Sequence, residues 1–219
     1  GRLTPGQLGL ELTTLLAIAA VGSFAFIGYW ITIEQNGSGA MDARFNGWAA
    51  DLEQPTAVSI AKVVTVLGAP WLMEALCAIA TVLLLVRRRI TEAVVVGAGM
   101  ALTVAAVQVA KHLVDRPRPA NALVDAAGSA YPSGHAAYAM AWIVLAIVGV
   151  RAVPALRGRW WLVIVACVIA ALVGVTRIYL RVHYVADVLG GEGAAAMCFS
   201  VVAILALVVA FVRQNARTA

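Results

Sequence analysis

Charge is scarce in this chain of 219 residues: Asp, Glu, Lys and Arg make up 12% of it, about half their usual share in soluble domains. A disordered chain needs the opposite balance, many charges and few apolar side chains, and is excluded. Cysteine is scarcer still. Cys77, Cys167 and Cys198 each stand inside an apolar run with no pairing pattern, which excludes a disulfide scaffold and makes them small packing residues. Polar low-complexity linkers and internal repeats are also missing, so residues 1–219 read as one domain.

In place of charge there is apolar surface: 63% of residues are hydrophobic, and the mean hydropathy is +0.92. In water so much Ala, Val, Leu and Ile would form an aggregating patch, whereas hydrocarbon accommodates it, so the chain reads as an integral membrane protein. The formal net charge of +5 does not redirect that reading toward nucleic acid. The basic residues lie at the ends of apolar segments, where membrane orientation and anionic headgroups account for them, and no nucleic-acid partner is expected.

Crossing roughly 30 Å of hydrocarbon takes about 20 apolar residues in a helix. Six runs of that kind, bounded by charge, Pro or Gly, lie at about 12–33, 67–86, 91–111, 134–153, 160–179 and 188–212. The expected fold class is therefore all-α, a polytopic membrane protein of six transmembrane helices. The first run is too long and too weakly flanked for a cleaved signal peptide and reads as a mature helix, while Gly1 in the place of an initiator Met is compatible with a trimmed chain. Six spans put both termini on one side, together with Arg2, Arg87, Arg88, Arg89, Arg151, Arg157, Arg159, Arg213 and Arg217. The positive-inside rule makes that side cytoplasmic. Residues 34–66, 112–133 and 180–187 then face the other side. The 34–66 segment, with Trp48, Pro55 and the mixed charges Asp42, Arg44, Asp51 and Glu53, reads as an interfacial amphipathic stretch or an ordinary exposed connection.

On that far side the sequence becomes polar in three short stretches: Lys111 to Pro119, Pro132-Ser133-Gly134-His135, and Thr176-Arg177 followed by His183 and Asp187. Span parity brings all three to the same membrane face. Together Lys111, Arg118 and Arg177 would bind an anion, although any one alone reads as a snorkelling interface residue. Ser133-Gly134 opens a helix, where free backbone amides and the helix dipole favour negative charge, or is simply a helix cap and turn. His183 and Asp187 stand four residues apart, so on one helical turn the carboxylate can hold the imidazole and leave its other nitrogen free to attack an electrophile. Zinc is the competing chemistry. His112 has no ligand-like spacing to the other histidines and no cysteine lies on this face, so no metal site is expected.

In order and spacing the three stretches resemble the signature of the phosphatidic acid phosphatase type 2 superfamily, Lys-x6-Arg-Pro, Pro-Ser-Gly-His and Ser-Arg-x5-His-x3-Asp. They stand here at Lys111 to Arg118-Pro119, at Pro132 to His135, and at Thr176-Arg177 to His183 and Asp187, with Thr176 in place of the usual Ser. The resemblance implies that His183 attacks phosphorus to give a phosphohistidine, that Asp187 orients it and that His135 is the acid for the leaving oxygen. It further implies that Lys111, Arg118, Ser133, Gly134 and Arg177 hold the phosphoryl oxygens, with no metal and no cofactor. The expectation is a cell-membrane lipid phosphatase with its site on the extracytoplasmic face, acting on a polyprenyl diphosphate, phosphatidylglycerophosphate or phosphatidate. Its partners are the lipid substrate and the membrane, with no oligomeric state specified. A phosphotransferase using the same intermediate and an anion transporter are the alternatives, and the six spans set aside a soluble haloperoxidase of the same signature.

Overall fold

The computed structural model describes residues 5–37 and 39–216, and among these every regular element is a helix. They are α1 (Pro5–Asn36), α2 (Ala40–Asp51), α3 (Pro55–Val64), α4 (Pro70–Val86), α5 (Ile90–Val114), α6 (Gly134–Ala139), α7 (Ala141–Ala152), α8 (Trp161–Tyr179) and α9 (Val185–Ala216). Six stretches are long and apolar enough to cross a membrane: Gly6–Asn36, Pro55–Val86, Ile90–Val114, Gly134–Ala152, Trp161–Tyr179 and Val185–Ala216. Helices satisfy every backbone polar group internally, the condition hydrocarbon imposes. The outward surface is correspondingly apolar, with Phe24, Leu83, Val86, Ile164 and Leu205 exposed.

The second span begins at Pro55, well before the expected boundary at 67. Pro55 sits in the first turn of α3, where its missing N–H costs nothing, and the helix tightens into a 3₁₀ turn over Thr65–Gly68 before Pro70 starts α4 in the same way. Most of 34–66 is therefore helical, shared among the end of α1, all of α2 and α3.

A central core joins α4, α5, α6 and α9 through Met73, Cys77, Val96, Met100, Val107, Tyr138 and Phe199. Helix α1 lies along α9 at very short range. A Cβ at Gly22 would come within 2.7 Å of the Gly193 carbonyl oxygen, and one at Gly193 equally close to that of Gly22, so only glycine permits this backbone contact. Arg87, Arg88, Arg89, Arg151, Arg157, Arg159 and Arg213 gather where α4, α7 and α9 end. The polar stretches gather at the opposite end, while Arg2 and Arg217 lie outside the described residues.

Candidate active site

Helix α8 ends in a tight turn in which Arg181 has φ +53° and the backbone N–H groups of Val182 and His183 both donate to the Arg177 carbonyl, at 3.2 and 3.3 Å. That turn delivers His183 to the start of α9, where Asp187 lies in the first turn. Asp187 is fully buried. Its Oδ2 accepts the Tyr184 backbone N–H at 2.8 Å and lies 3.5 Å from His183 Nδ1. On the other side of the ring, Arg118 Nη1 is 3.2 Å from His183 Nε2. A guanidinium can only donate, so Nε2 is the acceptor and the ring proton belongs on Nδ1, facing Asp187. The imidazole thus presents a lone pair on Nε2, the form a nucleophile requires. Burial, assisted by Arg177 and Arg118, outweighs Asp187 and pushes the His183 pKa down to about 4.

Arg118 and Arg177 act on this ring, and Lys111 stands within electrostatic reach of both. Besides His183, Arg118 is held by carbonyl oxygens: Nε donates to Gly128 at 3.0 Å, Nη1 to Val182 at 2.8 Å, and Nη2 to Ala127 at 3.0 Å and Ser129 at 3.3 Å. Burial lowers its pKa from the ordinary arginine value. Lys111 Nζ donates to the Ser129 carbonyl at 2.6 Å, and Arg177 Nη1 to Thr65 Oγ1 at 3.0 Å. Among the described residues none of the three forms an ion pair. The Arg177 Nε, Ser133 Oγ and His183 Nδ1 atoms are buried without a hydrogen-bond partner, Asp187 Oδ2 standing 3.5 Å from the last. Such a cluster of uncompensated positive charge and unsatisfied donors suits an anion with several oxygens.

The Pro132-Ser133-Gly134-His135 stretch is anchored from below. Ser133 N–H donates to the Asp187 carbonyl at 2.9 Å, and a Cβ at Gly191 would stand 2.4 Å from the Ser133 carbonyl oxygen, so α9 reaches this stretch only because position 191 is glycine. Ser133 occupies the cap position of α6, yet its hydroxyl makes no capping bond. His135, in the first turn of α6, lies within electrostatic reach of Arg177, His183, Arg118 and Lys111. Of the residues singled out in the sequence, Lys111, Arg118, Ser133, Gly134, His135, Arg177, His183 and Asp187 thus gather at one end of the bundle. His112 is exposed, and the Thr176 hydroxyl donates to the Val173 carbonyl at 2.7 Å.

Two residues escaped the sequence reading. Arg116, side chain 2% exposed, places Nη1 2.5 Å from Asp187 Oδ1 and Nη2 2.6 Å from Asp42 Oδ2, with its guanidinium 4.3 Å from the centre of the Tyr184 ring. Asp42 also accepts the Ala186 N–H at 3.1 Å. Burial opposes the charge on Arg116, but Asp187 and Asp42 more than restore it and raise its pKa. Asp42, expected in an interfacial or exposed segment, is therefore buried against the candidate site. The one available signal was a second arginine inside Asp115-Arg116-Pro117-Arg118, and nothing local pointed to a partner so distant in sequence.

A model of the PAP2 superfamily matches residues 92–215, more than half of the chain and every residue of the cluster except Asp42 and Thr65. The chain belongs to the PAP2 superfamily. Among PAP2 relatives, phosphatidylglycerophosphatase B of Bacillus subtilis (strain 168) is 40% identical over 98 residues, 43% of this chain and 48% of that one. The chain therefore spans about half the length of the curated relative it matches. The crystal structure of a transmembrane PAP2-type phosphatidylglycerolphosphate phosphatase from Bacillus subtilis superimposes with a TM-score of 0.74 at 28% identity, covering 88% of this chain and 94% of that one. LpxE of Aquifex aeolicus shares the fold, with a TM-score of 0.60 at 20% identity over 75% of this chain and 96% of that one.

Proposed function

We propose that this PAP2 protein is a membrane lipid phosphatase working through a phosphohistidine on His183. The observation that carries the reading is the tautomer imposed on His183, with Arg118 donating toward Nε2 and Asp187 facing Nδ1. In the first step Nε2 attacks phosphorus as the bond to the lipid oxygen breaks, and His135 gives that oxygen its proton. In the second step water attacks phosphorus, the N–P bond breaks and His135 takes the water proton. Arg118, Lys111, Arg177, Ser133 and the Gly134 amide hold the phosphoryl oxygens, supplying fixed positive charge where negative charge spreads in the transition state. These cations need no metal between them and the phosphate.

Relatives named for phosphatidylglycerophosphate make a glycerophospholipid monophosphate the first substrate to try, ahead of phosphatidate and a polyprenyl diphosphate. The arginines at the bundle's opposite end support a cytoplasmic placement for that end, and with it an extracytoplasmic site in the cell membrane. The decisive experiment measures phosphate release from these three lipids in detergent and traps acid-labile phosphate on the protein. Release by the wild type with trapping at His183, and neither in His183→Ala, is expected. Near-normal turnover by His183→Ala would end the mechanism, and free anion flux without phosphate release would favour a transporter.

A further inference from the structure

Helix α2 and its C-terminal cap carry a partly exposed apolar stripe. Met41, Phe45, Trp48 and Leu52 are 42%, 37%, 44% and 67% exposed, and their spacing of four, three and four residues keeps them within about 60° of arc on a helix. The adjacent face holds Asp42 and Ala49, both buried. Phe45 and Trp48 meet edge to face with ring centres 4.9 Å apart, and the Arg44 guanidinium lies 4.7 Å from the Trp48 ring centre. Helix α2 joins the end of one candidate span to the start of the next, where a bilayer crossed by both would have its surface. An apolar stripe with indole and guanidinium at its edge is the chemistry of a helix lying among headgroups and upper acyl chains.

The other face of α2 is bound to the turn that bears the candidate nucleophile. At its start Asp42 pairs with Arg116, which pairs with Asp187, and Asp42 also takes the Ala186 N–H. At its exit the Tyr179 hydroxyl donates to the Leu52 carbonyl at 3.1 Å and accepts the Gln54 N–H at 3.2 Å, while Arg181 pairs with Glu53 at 2.6 Å. These attachments reach Tyr179, Arg181, Ala186 and Asp187, on both sides of His183.

We propose that α2 is a lipid-surface anchor that positions the His183–Asp187 turn through the Asp42–Arg116–Asp187 bridge, so that turnover depends on seating of the apolar stripe in the bilayer. The stripe residues touch no substrate; they bear on the turn through this bridge, while the Tyr179 and Arg181 contacts fix the exit of α2. The proposal rests on the phosphatase reading for its turnover measurements, and one arm of the test is independent of it. In that arm a fluorophore is attached at Phe45→Cys in a chain carrying Cys167→Ala, since Cys77 and Cys198 are buried. In vesicles of phosphatidylglycerol and phosphatidylcholine, quenching by bromine on the upper acyl chains is expected, and a probe reached only by aqueous iodide overturns the anchor.

The second arm is a double-mutant cycle on kcat in the same vesicles, between Phe45→Ser/Trp48→Ser and Asp42→Asn. The stripe variant is expected to lose at least about threefold in kcat with surface KM little changed, and to lose less than about twofold once Asp42→Asn is present. Losses that multiply independently, or a stripe variant with unaltered kcat, overturn the coupling. Should Asp42→Asn fail to accumulate, Arg116→Lys takes its place, because lysine keeps the charge but lacks the fork that spans two carboxylates. If the wild type releases no phosphate from any lipid, it is the phosphatase reading that falls, and the quenching arm still decides whether α2 docks.

Discussion

The burial of His183 makes a quantitative claim about its protonation in the free protein. With a pKa near 4, about nine-tenths of the imidazole is neutral at pH 5, whereas an ordinary histidine of pKa 6.5 would be only about 3% neutral, a contrast of about thirtyfold. Diethyl pyrocarbonate reacts with neutral imidazole, so its pH dependence reads this difference without the titration of a substrate phosphate. Mass spectrometry of the His183 peptide after timed exposure should give a rate nearly flat from pH 7 to 5 that halves near pH 4. Exposed His112 provides an internal comparison in the same digest. The same shift has a stability consequence whose sign is definite. Below pH 6.5 the unfolded chain takes up a proton that folded His183 refuses until about pH 4, so stability is present above 6.5 and is lost as pH falls through that window. At about 1.4 kcal/mol per pH unit the loss approaches about 3 kcal/mol by pH 4, and His183→Gln should flatten that part of the Tm profile in detergent. A His183 carbethoxylation rate already halved near pH 6.5 would refute the reasoning, and with it the claim that burial and the two arginines outweigh Asp187.

Asp187→Asn keeps the shape of the side chain but can present an amide N–H to His183 Nδ1, so kcat should fall about a hundredfold or more with KM little altered; a change within twofold would remove Asp187 from the mechanism. Phosphate release should survive EDTA and be inhibited by vanadate, whose five-coordinate form resembles the in-line transition state, and a strict requirement for added magnesium would contradict stabilisation by Lys111, Arg118 and Arg177 alone. A cysteine placed at exposed Asn121, on the site's end of the bundle, should react with an impermeant maleimide in intact cells, and labelling only after lysis would reverse the proposed orientation.

The six spans were legible because a membrane crossing demands an uninterrupted apolar run, which needs no knowledge of partners. The cluster was legible for a related reason: Lys111, Arg118, His135, Arg177, His183 and Asp187 are polar residues at the ends of such runs, and span parity alone says which ends meet. What the sequence concealed depends on contacts with no local period. The early start at Pro55 turns on a 3₁₀ turn at Thr65–Gly68 that bridges two short helices. Arg116 and Asp42 are 74 residues apart, and each alone looks like an ordinary interface charge; only the folded chain reveals that Arg116 bridges Asp42 and Asp187. The Thr176 hydroxyl, in the third of the polar stretches, is turned back to the Val173 carbonyl of its own helix, a contact equally invisible in a motif.

The superfamily match begins at residue 92, yet several groups that complete the cluster come from before it. Thr65 meets Arg177, Asp42 meets Arg116, and the Phe26 carbonyl accepts the hydroxyl of buried Tyr131, beside the Pro132–His135 stretch. A fragment cut at the edge of the match would keep every motif residue while leaving Arg177 without its hydroxyl, Arg116 without one of its carboxylates and Tyr131 without its acceptor. Grafting the motif-bearing half of one such protein onto the leading half of another should therefore succeed only when the donor of the leading half supplies those same three partners.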